Sequence, residues 1–248
     1  MSSKIVSQND LSLGQGAEFV QALVHQGLTS HYAQRLIEDQ TLASNVVKLL
    51  QGNVSETTSW NRAAAIMGDR AIGIAIASGL GLKVQSAKYL TVPFSEVELA
   101  ESTRQGFYLV AMPSVDLLAL RQVAGKYFWD QDWYRGQKFT KAKSRAGYHL
   151  LRQLPDSTNK NWSEQVAMQP LGCEAPMTVE MAYLTAAWLS LGRGAAFPDW
   201  VRTSEVDSGG GHVIVRVNGS RVGVGDGWDS SRGSDVAVAS GQFRNLAS

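Results

Sequence analysis

Four histidines, one cysteine and two closely spaced pairs of aspartates are the side chains of this chain best suited to chemistry, and their spacing decides how far that goes. His25, His31, His149 and His212 stand far apart and share no metal-ligand spacing with Cys173 or with acids, so they read as ordinary surface or core histidines. Cys173 acts as a nucleophile only if the fold delivers a histidine to it, and a buried thiol is the simpler reading. Asp130 with Asp132, and Asp226 with Asp229, could form carboxylate pairs for catalysis or Ca²⁺ binding, although loop aspartates more commonly cap turns. The Asp226 loop lacks the acid that an EF-hand carries at its twelfth position. Arg135, Lys138, Lys141, Lys143 and Arg145 make a basic run around Phe139, suited either to phosphate contact or to a solvated face. Asp130, Asp132, His149 and the run 135–145 together support one functional reading: an enzyme or nucleic-acid-associated factor of a mobile element. No G-x-S-x-G elbow or phosphate-binding P-loop occurs, and Gly79-Leu80-Gly81 lacks the third glycine of a dinucleotide fingerprint. No metal and no cofactor is expected.

Composition narrows the classes. With 44% apolar and 18% charged residues in 248, the chain is of ordinary globular type and long enough for a sizeable core. The formal net charge is +1 and neither half is strongly basic, which makes nucleic acid an unlikely partner. A single cysteine excludes an internal disulfide. The most apolar run, 71–82, is about half the length needed to span a bilayer, and no basic-then-apolar leader opens the chain. The default compartment is therefore cytoplasmic, with surface display by a non-standard route left open.

The elements that must position these residues follow from periodicity. Residues 1–15 are polar and read as a disordered tail. Helical spacing predicts short amphipathic helices over 17–27, 31–39 and 42–50, a longer apolar one over 60–78, and another opened by the Ser95/Glu98 capping box. Residues 16–105 therefore read as a helical domain. From Gly106 the character changes to strands at 107–112 and 147–154, with a helix at 114–124 between them capped by Ser114. Further helices are expected from Asn161 or Ser163 to Met168 and over 177–191, where Pro176 sits at the first turn. The aromatic stretch Phe128 to Tyr134 and Trp162 read as core.

The C-terminal stretch is different in kind. Period-two alternation predicts strands at 212–217, 221–224 and 236–240, with Asn218-Gly219-Ser220 as a hairpin turn and Asp207 to Gly211 as a second turn. Between the last two strands, 223–235 is small and polar around one tryptophan, which reads as a loop held up by a sheet. Gly, Ser, Asp and Arg dominate it, offering varied hydrogen bonding at small size.

On these residues the chain resembles the variable target proteins of diversity-generating retroelements, found among uncharacterised proteins of candidate-phylum bacteria. The resemblance is carried by Val201-Arg202-Thr203-Ser204, Val206-Asp207-Ser208, the hairpin and Gly227-Trp228-Asp229-Ser230-Ser231-Arg232, with weaker likeness at 128–134 and 157–162. It implies an α+β fold: a C-type-lectin-like domain over 106–248, with an antiparallel sheet and two main helices, behind the helical N-terminal domain. It also implies a non-enzymatic protein that binds an unknown protein or surface ligand through a diversified patch, and it leaves an oligomer open. In that family adenine-directed mutagenesis rewrites the codons of this segment. Carried over by position, the variable candidates are Gly223, Gly225, Asp226, Gly227, Ser230, Ser231, Gly233 and Ser234, with Trp228 and Asp229 as constant frame. The same fold class includes formylglycine-generating enzymes, which need reactive cysteines; one cysteine outside the C-terminal strands points away from that activity. A phage-derived structural protein is the remaining alternative.

Overall fold

The computed structural model describes residues 57–246, together with Gln21, Gln34 and Glu38. Two compact units result, Met1–Val54 and Ser55–Ser248. In the first, the three described residues are helical, and Gln34 Nε2 donates to Glu38 Oε1 at 2.7 Å, one turn apart. The expected tail at 1–15 and the remainder of the helices expected over 17–50 lie outside the described residues.

Sequence places the domain boundary at 105/106; the structure places it at 54/55. The reason is strand β2 (Ala71–Ile72), which pairs in parallel with β4 (Tyr108–Met112), Ala71 opposite Leu109, and so binds 57–105 to the main sheet. Strands β1 (Thr58–Ser59) and β3 (Thr91–Val92) form a small antiparallel pair in the same region. The single helix expected over 60–78 is interrupted for the same reason. Helix α1 (Trp60–Met67) stops at Gly68, whose φ of 56° only glycine adopts cheaply. After β2, helix α2 (Ile74–Gly79) restarts behind Gly73, where a Cβ would stand 2.7 Å from the Trp60 ring. The Ser95/Glu98 capping box does open helix α3 (Glu96–Arg104).

Much of the rest follows the sequence reading, to which the structure adds one strand at 200–206. Strands β5 (Gly147–Gln153), β6 (Trp200–Val206), β7 (His212–Asn218), β8 (Arg221–Gly227) and β9 (Val236–Asn245) complete a seven-stranded, mostly antiparallel sheet in the order β2-β4-β5-β9-β6-β7-β8. Helix α4 (Leu117–Ala124) is capped by Asp116, whose carboxylate accepts from Ala119 N at 2.8 Å; Ser114, the expected cap, lies outside the helix. Helix α5 (Trp162–Ala167) is closed at its start by reciprocal bonds between Asn161 and Glu164. Helix α6 (Thr178–Ser190) is buried without interruption from Thr178 to Ala187, as a helix packed on all sides must be. It lies against β6, β7 and β8, over the face carrying Val201, Val213, Val215, Val222 and Val224. The fold is thus mixed α+β around one large core.

Two topological facts position the rest. First, β9 sits mid-sheet, antiparallel to β5 on one side and parallel to β6 on the other. Second, β8 and β9 run in the same direction, so the chain between them must travel back along the strands and across β7 and β6. Residues 228–235 make that crossing over the face opposite α6.

Candidate functional site

The face that 228–235 crosses is built from a few large side chains and three glycines. Gly223, Gly225 and Gly227 alternate along β8, opposite Arg216, Ile214 and His212 of β7. A Cβ at Gly223 would stand 3.2 Å from the Trp200 ring, and one at Gly225 would stand 3.3 Å from Ile214 and 3.6 Å from Trp200. The glycines thus make room for Trp200, whose ring Arg216 covers at 4.9 Å. These residues belong to a strand; the loop expected from 223 begins only at Trp228. Gly227 is looser, with nothing nearer than 3.7 Å.

Arg202, on β6, organises the crossing. It is fully buried, yet among the described residues no carboxylate hydrogen-bonds to it. Its guanidinium donates to the carbonyl oxygens of Lys160 (3.1 Å), Trp228 (3.1 Å) and Ser231 (2.8 Å) and to Gln165 Oε1 (2.9 Å). Burial pushes its pKa below the ordinary arginine value, with Asp229 opposing. A buried guanidinium remains charged, and each carbonyl dipole it gathers offsets part of its lost hydration.

A second loop, 155–164, abuts the first. Asn159 N donates to Gly233 O at 2.9 Å, and Trp162 N to Asp229 O at 3.0 Å. Gln165 Nε2 bonds both Ser157 O and Val236 O, while Ser157 Oγ accepts from Val238 N. Arg232 pairs with Glu164 at 2.7 Å, and Glu164 is held below the usual carboxylate range by the Asn161 backbone N–H and then by Arg232. Asp156 and Asn159 take positive φ values of 56° and 57°, left-handed conformations that Asp and Asn tolerate best. Trp162 stacks on His212, ring centroids 3.7 Å apart, and His212 Nε2 lies 3.4 Å from Asp229 Oδ1.

In both loops, main-chain atoms carry most of the bonding that holds the chain in place. Several side chains of 228–234 face solvent instead. Trp228 is 60% exposed, and Asp226, Asp229, Ser230, Arg232 and Ser234 are exposed as well. Ser231 is half-buried, and Gly233 has no room for a side chain, since a Cβ would meet Val236 at 2.8 Å. The expected set therefore divides: Ser230 and Ser234 open to the surface with Ser231 partly so, Gly223, Gly225 and Gly233 belong to the packing with Gly227 more loosely placed, and Asp226, opposite Val213, is exposed on the α6 side of β8, away from the crossing. Trp228, expected as frame, contributes its backbone to the frame and its ring to the surface.

The residues of the enzymatic reading are not brought together. Asp130 pairs with Arg121, and Asp132 with Arg135 at 2.9 Å. His149 is buried on β5, its Nε2 2.9 Å from the Arg145 carbonyl and its ring 4.8 Å from that of Phe243. Among the described residues, no hydrogen bond or ion pair joins His149 to either aspartate. The basic run is split too, with Arg145 engaged by Glu174 and Glu180 and Phe139 buried between the lysines. The aromatic stretch is partly core. Phe128 and Tyr134 are buried, but Trp129 and Trp133 are 41% and 38% exposed. Their indole N–H groups bond the carbonyls of Asn218 (2.9 Å) and Val224 (3.2 Å), and Trp129 N donates to Val222 O. They cover the open edge of β8. Cys173 is a half-buried free thiol in a turn. No described group of three or more His, Cys, Asp or Glu is arranged to hold a metal ion, and no described helix is long and apolar enough to cross a membrane.

Sequence reasoning passed over Arg202, Trp200, Gln165 and the 155–164 loop as parts of one surface. The available signal was Arg202 itself, a cation in a strand between Val201 and Thr203, on the face opposite a helix. Comparison of the chain with protein-family models, curated proteins and solved structures gives no match.

Proposed function

We propose that this protein is a non-enzymatic binding protein, whose contact surface is formed by the outward side chains of 228–234 beside the 155–164 segment. One observation carries the reading. Arg202, Asn159 and Trp162 hold the loop by its backbone, while Trp228, Ser230 and Ser234 stand in solvent and Arg232, itself exposed, pairs with Glu164. A loop fixed through main-chain atoms keeps its shape when its side chains change. That is the physical requirement for a diversified surface, and it supports the resemblance to retroelement-diversified proteins on a C-type-lectin-like scaffold. Binding then proceeds with little backbone rearrangement, Trp228 supplying a rigid apolar contact amid small polar ones.

The test is a comparison of this locus across related isolates, together with the adjoining genes. Substitutions concentrated at Trp228, Ser230, Ser231, Arg232 and Ser234, next to a near-identical repeat and a reverse transcriptase, are expected. Differences spread evenly along the chain, or falling as readily on Arg202, Gly223 and Gly225, overturn the proposal.

A further inference from the structure

Elsewhere on the same unit, three elements flank an open groove of about 390 Å³ that shares no lining residue with the surface just described. Its walls are Lys126 and Tyr127 from the turn after α4, Leu189, Gly192 and Arg193 at the end of α6, and Ser220 in the β7–β8 hairpin. Two of these residues are cationic, two carry hydroxyls and none is acidic. A volume of this size exceeds what a bare inorganic ion fills and falls within the range of small-molecule sites.

Both cations are held by aromatic rings. The Arg193 guanidinium carbon stands 4.3 Å over the Trp188 ring, and Lys126 Nζ is 4.8 Å from the Tyr127 ring. Arg193 also donates to the Asp69 carbonyl oxygen and pairs with Asp69 Oδ1 at 3.2 Å. Those two bonds fix the planar fork and leave further N–H groups of its five for another acceptor. With Asp69 counted, Lys126 and Arg193 still leave one net positive charge at the opening, and Arg221 follows Ser220 directly. Leu189 and the Tyr127 ring supply apolar wall.

From this we infer that the groove binds a small organic oxyanion: a phosphate or carboxylate group, met by Arg193, Lys126 and the Ser220 hydroxyl, carried on an apolar or aromatic body that lies against Leu189 and Tyr127. This site is independent of the contact surface proposed above.

The test is calorimetric titration of the full chain with phenyl phosphate, benzoate and, as the neutral control, benzyl alcohol. At least one anion is expected to bind saturably and to weaken with added salt, while benzyl alcohol gives no heat. Phenyl phosphate binding the more tightly identifies a phosphate ester as the ligand type, and benzoate binding as tightly or better identifies a carboxylate. Lys126→Gln and Arg193→Gln are each expected to weaken the anion by about ten-fold or more, as loss of a charge-assisted bond does. Asp69→Asn keeps the carbonyl that orients Arg193 but removes the competing charge, and is expected to tighten binding about two- to five-fold. Absence of saturable binding by both anions overturns the inference. So does binding of unchanged strength in Lys126→Gln or in Asp69→Asn, both changes at exposed side chains that leave the core intact.

Discussion

The guanidinium of Arg202 donates to the carbonyl oxygen of Trp228 at 3.1 Å, so a fully buried cation holds the backbone of the residue with the most exposed ring in its loop. Interior and surface are joined there by one bond. Replacement by methionine, similar in length and apolar, strands the carbonyls of Lys160, Trp228 and Ser231 without a donor. A stability loss of about 3 kcal/mol is expected, with new proteolytic cleavage at 228–234. Urea unfolding and limited proteolysis check this; a loss below about 0.5 kcal/mol, the size of a neutral surface change, contradicts it.

Within 223–234, positions a few residues apart are expected to respond oppositely to one substitution. Ser230→Asn places a larger side chain in solvent and is expected to change stability by no more than about 0.5 kcal/mol. Gly223→Asn drives a side chain into the Trp200 ring and is expected to cost about 1–3 kcal/mol. Thermal melts of the two variants separate these outcomes. Equal tolerance at both positions removes the distinction between packing glycines and surface serines.

Much of this was legible beforehand, and the exceptions share a cause. Alternation marks strands at 212–217, 221–224 and 236–240, each of which the structure extends, and spacing marks the Ser95/Glu98 cap. Local signals of this kind report local structure. Gly223 and Gly225 look like loop in the sequence because their reason for being small, Trp200, lies on another strand. Trp129 and Trp133 were read as core because aromatic density marks burial but not the edge they cover. The break at Gly68 was hidden by the apolar run around it, since β2 exists only through its pairing with β4. The surface itself was half visible. Its 228–234 portion stood out by composition, whereas Arg202 and the 155–164 loop join it only through long-range bonds.

The edge of β8 gives a further expectation. Trp129 and Trp133 occupy the carbonyls of Asn218 and Val224, and Trp129 N takes that of Val222, so this strand offers few free backbone groups. Trp129→Ala with Trp133→Ala uncovers them and is expected to raise self-association as well as to reduce stability, since bare sheet edges pair with one another. Light scattering over a concentration series measures it. A double variant that stays as monodisperse as the parent protein refutes the protective role.

Acid sensitivity is expected in two stages. Burial holds His149 below the usual histidine value, although Glu180, 3.8 Å away, and the Arg145 carbonyl oppose it. For Glu180, burial raises the pKa, but the Arg145 hydrogen bond and the charges of His149 and Arg145 outweigh it, leaving the carboxyl below its ordinary value. Both groups therefore bind fewer protons folded than unfolded, and both stabilise more as pH rises. The His149 contribution is complete above about pH 6.5 and is lost below it; that of Glu180 is lost as pH falls below about 4.5. Urea midpoints measured from pH 7 to 3 should fall in both ranges, and His149→Gln should flatten the first alone. A midpoint constant between pH 7 and pH 5 counts against this account.

The place of β9 has a consequence for biosynthesis. Of the seven described strands of this sheet it comes last along the chain, and among them it alone is hydrogen-bonded to both β5 and β6. A nascent chain that has emerged only as far as β8 holds two unjoined half-sheets, each with a raw inner margin, and neither can close on the other until the final strand slides between them. Completion is then an insertion rather than an addition, a step governed by distant pairings and slow for that reason. Premature termination ahead of residue 236 leaves a polypeptide with two sticky margins, a substrate for chaperones rather than a smaller version of the native protein.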